Sequence, residues 1–73
     1  MYIPSVVHPE IKLTENQEIV RDCVDFLFNV HVEPTLKSVS EQISCALGDL
    51  MSDQRIYAVL EELVKLGVLE KER

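Results

Sequence analysis

The stretch SDQRIYAVLEELVKLGVLEKER, residues 52–73, constrains the fold more than any other part of the chain. Ile56, Leu60, Leu63 and Val64 recur at spacings of three and four, so one apolar stripe runs down a helix, and Leu66 joins it before Gly67. A helix striped on one side needs a core to lie on. Gly67 stands where a residue in the left-handed conformation closes a helix, and Val68 is placed to touch Leu63, the contact of a Schellman stop. The chain then turns directly into a short extended run at Val68–Lys71. The spacing predicts this helix over 53–66, with Ser52 or Asp53 as its N-cap.

Two further helices precede it. Thr14 can cap a helix while Gln17 reaches back to close a capping box, which predicts a helix over 15–30. Ile19, Val20, Cys23, Val24, Phe26, Leu27 and Val30 give it a wide apolar face, and Pro34 prevents its continuation. The opposite face carries Glu15, Glu18, Asp22 and Asp25 as one acidic ridge, with Arg21 within a turn of Glu18 and Asp25. The second helix is expected over 39–47, opened by Ser38 and Glu41 as a capping box and closed by Gly48. Its packing face reads as Val39, Ile43, Ala46 and Leu47, with Leu50 and Met51 tucked under the following turn. Thr35–Lys37 is long enough only for a small strand, and a second strand is expected over 68–71.

Residues 1–13, MYIPSVVHPEIKL, carry Pro4 and Pro9 and no helical period, so they read as an extended N-terminal arm before a domain spanning 14–73. Ile3, Val6 and Val7 make this arm more apolar than a solvated tail, which suits an added strand or a partner contact. Its removal, residues 1–8, is expected to leave the three-helix core folded, because no helix or cap goes with it.

A chain of 73 residues makes one domain and buries only slightly more than about 60 per cent of its unfolded surface. The apolar fraction of 47% argues against disorder over most of it. No apolar run is long enough to span a membrane, and no basic, apolar leader opens the sequence, so a cytoplasmic, reducing location is expected. Cys23 and Cys45 stand alone without a CxxC or a histidine at ligand spacing, which reads as reduced, buried thiols and no metal. His8 and His31 have no catalytic companions, and two glycines form no phosphate loop, so no catalytic residue and no cofactor are assigned and the chain reads as a non-enzyme.

The order of strand, helix, turn, helix, glycine and strand, carried by TLKSVSEQI and IYAVLEELVKLGVLEK, resembles the winged helix-turn-helix family over residues 14–71. The resemblance implies a mainly α fold with a minimal β-sheet (α+β), three helices and a wing. After Val68–Lys71 a whole wing takes a turn and a returning strand, and the sequence stops at Arg73, so the wing is expected to be truncated, or completed by residues 2–7. In DNA-binding members the first half of the third helix enters the major groove; here that surface is Asp53, Gln54, Arg55, Tyr57 and Ala58.

Three functions follow. Net charge is −6, with −4 in residues 1–34, and an acidic domain starts at a disadvantage on phosphate. The favoured function is therefore a regulator acting by protein contact on the transcription machinery, as phage-encoded RNA polymerase modulators of similar size and charge do; for such a protein the location is the host cytoplasm. Its partner-binding residues are Ile3, Val6, Val7, Glu15, Glu18, Asp22 and Asp25. The alternative is a DNA-binding repressor, a homodimer through helix 1 or the arm, using Gln54, Arg55, Tyr57, Lys65, Lys71 and Arg73. A structural assembly subunit is the third.

Overall fold

The helix ends fix the architecture, and each uses a side chain or turn that the local sequence supplies. A computed structural model describes residues 1–5 and 11–72. Helix α1 spans Glu15–Asn29 and opens on the expected capping box: the Gln17 amide donates to Thr14 Oγ1 at 3.3 Å and the Thr14 amide donates to Gln17 Oε1 at 3.0 Å. It closes in a Schellman turn with His31 at the left-handed position, φ 63°. There the His31 amide donates to the Phe28 carbonyl at 3.2 Å and the Val32 amide to the Leu27 carbonyl at 2.9 Å. A non-glycine residue costs about 1–2 kcal/mol in this conformation, which the two capped carbonyls offset.

Helix α2 spans Leu36–Leu47, three residues longer at its start than the sequence predicts. The capping box is Thr35 with Ser38, not Ser38 with Glu41: the Ser38 amide donates to Thr35 Oγ1 at 3.2 Å and the Thr35 amide to Ser38 Oγ at 2.8 Å. Ser38 Oγ also donates to the Glu33 carbonyl at 2.6 Å, so one hydroxyl ties the linker to the first turn. The strand expected at 35–37 is absent, because these residues are the cap and opening of α2. Gly48 then closes α2 with φ 75°.

Helix α3 spans Asp53–Lys65, with Ser52 as N-cap accepting from the Arg55 amide at 3.2 Å. Its end is the expected Schellman turn: Gly67 at φ 79°, the Gly67 amide on the Val64 carbonyl at 3.1 Å and the Val68 amide on the Leu63 carbonyl at 3.0 Å.

The sheet has two antiparallel strands, β1 (Tyr2–Pro4) and β2 (Leu69–Lys71), paired Tyr2 with Lys71, Ile3 with Glu70 and Pro4 with Leu69. Met1 and Glu72 exchange two bonds of 2.8 Å, and the Ser5 amide donates to the Val68 carbonyl at 3.1 Å. Odd-numbered residues of the first strand thus face β2. Tyr2 turns its amide the other way, onto the Pro34 carbonyl at 2.8 Å, and Pro4, lacking an amide hydrogen, occupies a position where the ladder needs none. Residues 2–4 of the apolar arm therefore return to pair with the C-terminal strand and belong to the folded unit; Val6 and Val7 lie outside the described residues.

The result is mainly helical with a minimal sheet. Val20, Val24 and Leu27 of α1, Val39 and Ile43 of α2, and Ile56, Val59, Leu60 and Leu63 of α3 meet Val68, Leu69 and Tyr2 in one core. Three short helices around such a core leave room for one stripe per helix. Phe26 and Val30, expected on the packing face of α1, are instead exposed, as are Ala46, Leu47 and Leu50, while Met51 packs against the core. Cys45 is exposed and Cys23 half-buried, which corrects the expectation of two buried thiols. Among the described residues no helix is long and apolar enough to cross a membrane.

Candidate partner-binding surface

The acidic ridge lies on the outer face of α1, as its spacing requires. Glu15, Glu18 and Asp22 are exposed and Asp25 is half-buried. Arg21 pairs with Asp22 at 3.1 Å rather than with Glu18, and with Asp22 68% exposed the pair is worth about 0–1 kcal/mol. Ile3 is half-buried in β1 opposite Glu70, so it serves the sheet before any partner.

Beside the ridge lies an apolar strip that sequence reasoning assigned wholly to the core. Ile19, Cys23, Phe26 and Val30 are spaced four, three and four apart, displaced to one side of the buried Val20, Val24 and Leu27. Ile19 and Cys23 pack against the core, but Phe26 is 50% and Val30 47% exposed. The sequence did hold a clue: α1 carries two apolar stripes, and one face of a helix cannot bury both. Burial, then the Asp22 charge, pushes the Cys23 thiol up, so it stays protonated and unreactive near neutral pH. A separate shallow cavity of about 370 Å³ on the other side of the helix end is lined by Met1, Phe28, Asn29, His31 and Glu33.

The residues of the DNA-binding alternative fall in two places. Gln54, Arg55 and Tyr57 are exposed on the first turns of α3, with Asp53 and Ala58 beside them, and Lys65 is exposed at its end. Lys71 is engaged: its ammonium lies 3.3 Å from Glu61 Oε2 and over the rings of Tyr2 and Tyr57, 5.8 and 6.0 Å from their centroids. Arg73 lies outside the described residues. Among the described residues no three of His, Cys, Asp and Glu gather as a metal-binding group.

The Lys71 cluster was not legible in sequence, because it joins the two ends of the chain on α3. Tyr2 donates its phenolic hydrogen to Glu61 Oε2 at 2.9 Å. Burial first and this hydrogen bond second push the Tyr2 phenol up, and the same bond, followed by Lys71, holds the Glu61 carboxyl below its ordinary value near 4.5. A phenol raised on folding contributes stability that is present below its unfolded value of about 10 and is lost as pH rises through the folded value. A depressed carboxylate contributes stability lost as pH falls through its folded value. Tyr2→Phe is therefore expected to lower the urea midpoint at neutral pH and to flatten its decline above about pH 10. Parallel pH profiles of parent and variant at constant offset would contradict this.

Comparison with protein-family models, with curated proteins and with solved structures finds no match.

Proposed function

We propose that this is a small acidic winged-helix regulator that acts by contact with another protein of the transcription machinery, in the manner of an RNA polymerase-binding modulator. The order of three helices followed by a strand after α3 supports the winged-helix reading, and β1 supplies that strand with an antiparallel partner. One observation carries the preference for protein over DNA. Lys71, the cation on the strand from which a wing would reach phosphate, is paired with Glu61 at 3.3 Å and lies 5.8 and 6.0 Å from two tyrosine rings, so its charge is already engaged. On α3 this leaves Arg55 with Asp53 in the same turn, and Lys65 at the far end. Few phosphates can be neutralised by such a set, and 13 acidic residues oppose it.

A DNA-binding dimer is the second reading, favoured by the joint exposure of Gln54, Arg55 and Tyr57 at the start of α3. Anisotropy titration of a labelled duplex separates the two readings when run beside capture of proteins from lysate. Retention on DNA is expected to be weak at low salt and to vanish at physiological salt. Nanomolar, sequence-selective binding at physiological salt would decide for the repressor.

A further inference from the structure

We propose that the Phe26–Val30 strip of α1, with the acidic row beside it, is a docking face for a basic amphipathic helix of another protein; this rests on the protein-contact reading above and names its surface. Phe26 has Asp22 one turn before it and Val30 one turn after it, so anchor and charge are neighbours on one face. Both apolar side chains are about half exposed, whereas the rest of their stripe, Ile19 and Cys23, is already seated on the core. The 4-3-4 spacing is that of a helix seam, which takes a helix carrying apolar residues at the same period. Glu15 and Asp22 flank the seam on its outer side, where Lys or Arg of the incoming helix would lie, as charges beside a coiled-coil seam do.

Charge selects this occupant over a second copy of the chain. Two copies joined along the seam would bring two acidic rows of like sign together, on molecules each carrying −6, with no basic row to meet either. Area points the same way: two half-exposed side chains offer on the order of 200 Å², well short of the roughly 800 Å² per partner of a stable interface. A single helix held by two anchors and steered by charge fits that area; a permanent dimer does not.

The test titrates the full chain with a synthetic helix of about three heptads, leucine at a and d and lysine or arginine at e and g, followed by amide NMR. A control peptide carries glutamate at e and g. Saturable binding of the basic peptide with shifts confined to Ile19–Val30, and none by the control, is expected. Phe26→Ser should weaken it at least ~10-fold, as loss of a central anchor does. Asp22→Lys should weaken it about 3-fold and reduce its salt dependence. Both changes lie on exposed side chains, and an unchanged unfolding midpoint establishes that each variant is folded. Equal binding by parent and Phe26→Ser, equal binding of both peptides, or a parent dimer that Phe26→Ser abolishes would each overturn the proposal. Should Phe26→Ser capture the same protein from lysate as the parent, the regulator reading survives and this surface is wrong. Should the parent hold duplex DNA at physiological salt and capture no protein, that reading falls and this one with it.

Discussion

Replacing Leu60 with alanine is expected to remove about 2–5 kcal/mol of stability, read as a lowered midpoint in urea with an unchanged slope. Leu60 has no exposed surface, and it lies midway along the stripe of α3, the helix that packs against α1, α2 and β2 together. Truncation there loses the transfer of the side chain and leaves a cavity that three elements would have to collapse to fill. A domain of this length has only about 4–11 kcal/mol to lose, so the variant would be near its unfolding limit at ambient temperature. Leu63, equally buried one turn along, should respond alike. Losses under about 0.5 kcal/mol at both positions, the size expected of surface changes, would overturn the packing of α3.

The contrast between Leu60 and Phe26 marks what the sequence could convey. Helix existence was written in local chemistry: Thr14 with Gln17, Ser52, and Gly67 followed by Val68 each specify an end within a few residues, and the structure uses them all. The start of α2 was misread because Thr35 and Ser38 form a box just as Ser38 and Glu41 could, and the Ser38 hydroxyl both accepts from the Thr35 amide and donates to the Glu33 carbonyl, a linker contact that spacing alone does not show. Which of two apolar stripes on α1 faces inward depends on where the other helices lie, and periodicity carries no such information. For the same reason the acidic ridge of the candidate surface was legible and its apolar anchors Phe26 and Val30 were not.

The sheet is the part furthest from local sequence, and it gives the second large effect. Reading residues 1–13 as an arm leads to the expectation that their loss leaves the helices folded. Tyr2, however, is only 5% exposed and belongs to the same core as Leu60, Leu63 and Leu69. Tyr2→Ala is expected to cost about 3–5 kcal/mol, the range for emptying a buried aromatic site. Deleting residues 1–5 should cost at least as much, since it also takes the backbone bonds from Tyr2 to Pro34, Ser5 to Val68 and Met1 to Glu72, and uncovers Val68 and Leu69. Tyr2→Phe keeps the ring and the strand and loses one hydrogen bond, so a loss of about 1 kcal/mol separates the contribution of the ring from that of the Glu61 contact. Circular dichroism with urea unfolding reads all three. A five-residue deletion that unfolds at the parent's midpoint would show that the helices hold without β1, and would return this segment to the surface as an arm free to engage a partner.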